Sequence, residues 1–260
     1  MRLTGNWCVT VSDIAACAEI VFKADRDRFA AVMAAPVALR EKLFPLHALA
    51  VEVARAPWVT QEPMIAEMRL QWWRDALAEI AEDKPARRHE VVSPLAEILT
   101  PDLAKVLDGF VEVRRWDIYD EPFEDEAHFK DYLMQSSGAF YYALVSVAGG
   151  STQGAQNFGY AVGLANFLKA VPELEARQRI PLVDGRPEAV ARLASYALER
   201  LRETKIKGKS ARQAVLAGWQ APYILSVAAK NPSAVVRGQL GRSDAAKKAS
   251  LLIAAMRVRF

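Results

Sequence analysis

Cysteine and histidine are scarce in this chain. Its 260 residues include two cysteines, Cys8 and Cys17, and three histidines, His47, His89 and His128. Two thiols near one end predict reduced side chains rather than a disulfide framework. The histidines are too scattered for zinc spacing, so no metal site is expected from them. No apolar run reaches the roughly 20 residues of a transmembrane helix. The N-terminal residues lack the charged, apolar and small-residue order of a secretory signal, which predicts a cytosolic chain. Neither charge dominates: 34 Lys and Arg face 31 Asp and Glu, a net +3. That balance argues against a nucleic-acid partner. Repeats and low-complexity tracts are absent, and no segment alternates as a strand would.

What remains is helical periodicity around an ordinary globular composition, 52% hydrophobic and 25% charged. A chain of this length buries one good core, so a single domain over 1–260 is expected, with an irregular N-terminus over 1–11. Pro36 opens a helix that runs toward Pro57. Pro63 opens a second, in which Leu70, Trp73, Leu77 and Ile80 form one apolar stripe. Residues 83–94 carry two prolines and several charges and read as a loop. Pro101 opens a helix ending near Asp120, because Pro122 cannot continue it. Further helices are expected from Glu124 toward Gly149-Gly150, from Gln153 to Val171, and over 187–204, 209–229 and 243–259. Pro172 is expected to stop the fifth, and residues 205–209 form a basic connector. About ten helices with short links predict an all-α bundle.

One motif carries most of the information: Gly159-Tyr-Ala-Val-Gly163-Leu-Ala-Asn166-Phe-Leu-Lys169-Ala170-Val-Pro172-Glu173-Leu174, then Arg177-Gln-Arg179-Ile-Pro181. It resembles the second aspartate-rich region of the squalene/phytoene synthase family. That family typically reads Gly-x-Ala-x-Gln-x-x-Asn-x-x-Arg-Asp-x-x-x-Asp, followed by Arg-x-Tyr-x-Pro. Asn166, Arg179 and Pro181 match, and Lys169 stands in for the arginine. The two aspartates fall on Ala170 and Leu174. Further pieces resemble the family in order: Asp27-Arg28-Phe29, Arg40, Leu46-His-Ala48-Leu, Asp117, Tyr132 and Ser137-Gly138. The first aspartate-rich motif would follow Leu46-His-Ala48-Leu, and its aspartates fall on Ala54 and Trp58. The run Arg69-Leu-Gln71-Trp72-Trp73-Arg74-Asp75 is similar to a divergent branch with eroded aspartates. That branch includes an assembly factor of mitochondrial respiratory complex I.

The resemblance implies an isoprenoid-synthase helical bundle. Active members ionise an allylic diphosphate and join two prenyl diphosphates. The leaving group is multiply charged, and Mg²⁺ on hard carboxylate oxygens neutralises it. Aspartates four residues apart share one helix face, and two such helices clamp the diphosphate between them. Alanine, leucine and tryptophan supply no such oxygens. The resemblance therefore implies a non-catalytic or diverged member with no metal cofactor, binding a lipid, an isoprenoid or a protein partner in respiratory-complex assembly. The alternative is a working head-to-head prenyltransferase that uses Mg²⁺ on displaced acids. A third reading is a protein-binding scaffold with a filled cavity.

Glu52, Glu173 and Glu175 lie near the two motifs, but Pro172 is expected to turn the latter two away from the motif helix. The acidic run Asp117, Asp120, Glu121, Glu124, Asp125 and Glu126 reads as a solvated helix junction rather than a metal site. A residual polar site would use Asn166, Lys169 and Arg179, against the plainer reading of an interhelical hydrogen bond and surface charges. Arg28, Arg40 and Arg55 with Lys169 would make a metal-free anion site, against structural salt bridges. Trp72, Phe140 and Tyr141 are the candidate cavity-lining aromatics, with Trp73 in the core. The basic, amphipathic stretch 245–260 admits peripheral contact with the inner membrane, while packing on the bundle would bury its apolar face.

Overall fold

The computed structural model describes residues 11–119 and 121–259, and it is helical throughout. Among the described residues no strand occurs. The helices are α1 Val11–Ala24, α2 Arg26–Met33, α3 Val37–Arg55, α4 Pro63–Ala81, α5 Val92–Ile98, α6 Pro101–Glu112 and α7 Glu126–Leu133. They continue as α8 Ala139–Val147, α9 Ala155–Ala176, α10 Pro187–Glu203, α11 Lys209–Ala214, α12 Ala221–Lys230, α13 Ser233–Val236 and α14 Asp244–Arg259. Short 3₁₀ turns at Ala56–Trp58, Val113–Ile118 and Val215–Gly218 extend α3, α6 and α11. The all-α bundle expected from the periodicity is the fold. Cys8 lies outside the described residues, as does Asp120.

The starts follow local chemistry. Proline opens α4, α6 and α10, where its missing N–H would have had no partner. Thr100 and Asp125 cap α6 and α7 by accepting from Leu103 N and His128 N. The buried side chains form one contiguous cluster that runs from Cys17 to Leu240.

Three local expectations are corrected. Residues 83–94 do not stay irregular to their end, because α5 starts at Val92 and takes Pro94 in its first turn. The stretch 209–229 is broken at Val215–Gly218. There the chain presses against α9: a Cβ on Gly218 would lie 2.6 Å from Val162 Cγ2. The third correction bears on function. Pro172 does not stop α9, which continues to Ala176. Proline in a helix costs about 3 kcal/mol. Leu168 and Val171 are wholly buried in the turn before it, and burying two such side chains returns about 3–6 kcal/mol.

The motif's glycines explain how α9 sits. Residues 134–138 widen into a π turn between α7 and α8. A Cβ on Gly159 would lie 2.5 Å from the Ser137 carbonyl oxygen, so only glycine admits this approach. The contact brings α9 against the chain's middle helices and sets its Asn166–Leu174 face toward α3.

Candidate functional site

A cavity of about 540 Å³ lies between α3, α6, α8 and α9. Ala54 and Trp58 line it from the end of α3 and its 3₁₀ extension, and Ala170 and Leu174 line it from α9. These are the four positions at which the family frame places its aspartates. Both jaws of the expected clamp are therefore present in space, and both are apolar.

The jaws are joined in another way. The guanidinium carbons of Arg177 and Arg179 lie 4.7 and 4.8 Å from the centre of the Trp58 ring. Cations at that distance from an indole face are attracted by its quadrupole. Counted back from Pro181, the arginine of the family frame falls on Arg177 rather than Arg179. Arg177 lines the cavity, whereas Arg179 donates from Nη2 to the Asp117 carbonyl oxygen at 2.8 Å.

Among the described residues two carboxylates reach the cavity, Asp117 and Glu173. Glu173 is there because α9 runs through Pro172, which corrects the expectation that this glutamate turns away. Each carboxylate is held by an arginine: Asp117 Oδ2 by Arg114 Nη2 at 2.7 Å, and Glu173 Oε1 by Arg177 Nη2 at 2.8 Å. Asp117 is buried, unlike the exposed Glu121, Glu124, Asp125 and Glu126, so the acidic run is not one solvated junction. Arg114 also donates to the Tyr132 phenol oxygen at 2.6 Å, and that phenol donates to Asp117 Oδ1 at 2.8 Å. Burial raises the Tyr132 pKa, so it remains a neutral donor. Among the described residues, no group of three or more His, Cys, Asp or Glu could hold a metal ion.

The other expected site residues divide. Arg28, Asn166 and Phe140 line the cavity. Lys169 and Tyr141 instead line a smaller pocket of about 60 Å³ behind α9, which Arg28 and Asn166 also reach. Burial pushes the Tyr141 phenol well above its ordinary range. Arg40 is elsewhere, donating to the Ala35 carbonyl oxygen at 2.6 Å. Arg55 points to an outer groove and pairs with Glu52 at 3.2 Å. The four-cation anion site of Arg28, Arg40, Arg55 and Lys169 is therefore not assembled. Trp72 is also away from the cavity, packed edge-on against Trp73 at 4.9 Å with Arg87 over its ring. Arg114 and Arg177 were not among the expected residues. The three-residue spacing of Arg114 and Asp117 was the available signal for the first.

A squalene/phytoene synthase family profile matches residues 21–219. The chain belongs to the squalene/phytoene synthase family. A crystal structure of a dehydrosqualene synthase in complex with ligand superposes with a TM-score of 0.75. It covers 95% of this chain and 97% of that one at 16% identity, a likeness of fold. Among curated proteins, this squalene/phytoene synthase family member is similar to the NADH dehydrogenase (ubiquinone) complex I, assembly factor 6 homolog of Drosophila melanogaster. The two are 27% identical over 209 residues, 76% of this chain and 61% of that protein. The assembly factor 6 proteins of Bos taurus and Homo sapiens are each 22% identical over 169 residues, 63% of this chain and 51% of theirs. The chain thus spans half to three fifths of the length of these relatives.

Proposed function

We propose that this family member is non-catalytic, needs no metal cofactor, and acts in the assembly of a respiratory complex while holding an isoprenoid or lipid chain in its cavity. The observation that carries the first part is the content of the clamp. Ala54, Trp58, Ala170 and Leu174 line the cavity where diphosphate chemistry requires metal-binding oxygens. Among the described residues, the two carboxylates that do reach it, Asp117 and Glu173, are each paired with an arginine. Arg177 approaches Trp58, so a side-chain contact occupies the place of a metal bridge.

Support for the assembly role comes from the names of the relatives. Support for a ligand comes from the space. A cavity of about 540 Å³ falls within the ordinary range for one small molecule, about 300–1,000 Å³. Its wall combines the apolar Phe110, Leu133 and Phe140 with polar side chains that include Arg28 and Asn166.

The test is to incubate the purified chain with farnesyl or geranylgeranyl diphosphate and Mg²⁺ and follow diphosphate release. No turnover is expected. Metal-dependent release would overturn the non-catalytic reading. Native mass spectrometry of the protein as purified is expected to show one bound apolar molecule that Phe140→Asp removes.

A further inference from the structure

The C-terminal helix carries apolar side chains on both faces: Leu251, Ala254, Ala255 and Val258 are half-buried, while a second apolar set is exposed. An ordinary surface helix turns its apolar face to the core and its polar face to water. α14 docks on the bundle partly through polar groups. Lys247 Nζ lies 3.1 Å from Asp27 Oδ2, and Trp219 Nε1 donates to Ser250 Oγ at 3.2 Å. None of its described side chains is fully buried. Ala245, Ala249, Leu252, Ile253 and Met256 face away from the bundle, and all five are exposed. Their spacing at 4, 3, 1 and 3 places them in one stripe on a helix. Leu252, Ile253 and Met256 are 62%, 47% and 45% exposed.

The charge pattern completes the feature. Residues 245–260 contain four cations and no acid. Asp244, the one acid of α14, is held by Lys247 at 2.9 Å. By helical register Lys248 and Arg257 lie on opposite flanks of the stripe, and both are exposed. A groove of about 300 Å³, lined by Ala34 of the turn after α2 with Leu251, Leu252 and Met256, continues the apolar surface.

We propose that α14 lies in the plane of an anionic lipid bilayer, with the stripe in the acyl region and Lys248 and Arg257 at the headgroups. A 16-residue helix is shorter than the roughly 20 residues needed to span the hydrocarbon core, so it lies along the surface. Lipid is favoured over a second copy of the chain on two grounds. Self-pairing would bring the like-charged flanks together. Three large side chains also fall well short of the roughly 800 Å² per partner of a stable interface.

The experiment is co-sedimentation of the full chain with vesicles of phosphatidylcholine containing about one third phosphatidylglycerol, and with phosphatidylcholine alone. Binding is expected to the anionic vesicles, at least 10-fold weaker to the neutral ones, and weakened by 0.5 M NaCl. Two variants are compared, Leu252→Ser/Ile253→Ser/Met256→Ser and Lys248→Glu/Arg257→Glu. Each should lose binding at least 10-fold while its circular dichroism melt stays that of the parent. These positions are exposed, so the fold should tolerate the changes. No binding to anionic vesicles, or equal binding by parent and variants, overturns the proposal. So does a dimer in light scattering that the triple serine variant dissociates without any effect on vesicle binding.

Discussion

The guanidinium of Arg177 lies 4.7 Å from the centre of the Trp58 ring. Trp58 stands at a clamp position of the first motif, and Arg177 follows the second. The contact therefore ties together two segments that metal ions and diphosphate would join in a synthase. Arg179 adds a second cation to the same ring at 4.8 Å. Trp58→Ala is expected to lower unfolding free energy by about 1–2 kcal/mol, the worth of two partly exposed cation–π contacts. Urea denaturation measures it. A double-mutant cycle with Arg177→Met should show coupling between the two positions, and additivity would mean that the contact contributes nothing.

Restoring the carboxylates tests whether the four positions still form a clamp. The variant Ala54→Asp/Trp58→Asp/Ala170→Asp/Leu174→Asp brings four like charges to one cavity and should melt well below the parent in EDTA. Millimolar Mg²⁺ should then raise its melting midpoint by about 5 °C, since a saturating ligand at about 100 Kd contributes about 2.7 kcal/mol. The parent midpoint should not respond to Mg²⁺. A variant equally indifferent to the ion would show that the positions do not converge.

The Arg114–Asp117–Tyr132 cluster is expected to be structural. Removing Asp117 leaves the Arg114 charge in a largely buried place without its partner, at a cost of about 3–5 kcal/mol for Asp117→Ala. Tyr132→Phe removes one donor and should cost about 1–3 kcal/mol. Urea midpoints of the two singles and the double decide it. The double should cost less than the sum, because both singles break the same network.

Stability should fall with acid through His47. Both ring nitrogens are buried and have no hydrogen-bond partner among the described residues, and burial, reinforced by the Arg28 charge, holds its pKa well below the ordinary histidine range. In the unfolded chain the imidazole titrates near about 6.5. Below that pH the unfolded state takes up a proton that the folded state refuses. Stability is therefore unaffected by this group above about pH 6.5 and declines below it, by up to about 1.4 kcal/mol per pH unit. His47→Leu should flatten the acid limb by one proton's slope and raise stability at pH 7. A parallel acid limb in the variant would assign the effect to other groups.

Much of the site is legible in the sequence. The family frame placed Ala54, Trp58, Ala170 and Leu174, and all four line one cavity. Asn166, Phe140 and Arg28 also reach it. Glu173 is not legible from the local effect of Pro172, because α9 is held past that proline by Leu168 and Val171 in the core. Trp72 and Tyr141 could not be placed by periodicity. A helical residue's direction is local, but what it meets depends on the neighbouring helix. Trp72 meets Trp73 and Arg87, and Tyr141 lies behind α9.

The helical class, most helix starts, the family and the missing aspartates can be read along the chain. These depend on spacing along the chain, on caps and prolines, and on the identity of single residues. Tertiary structure alone decided which charges meet. It separated Arg40 and Arg55 from the cavity, set Arg177 and Arg179 on Trp58, and left the apolar stripe of α14 facing outward. Those outcomes depend on how helices cross and which faces remain uncovered. No local pattern encodes them, because each is settled by contacts between segments far apart in the chain.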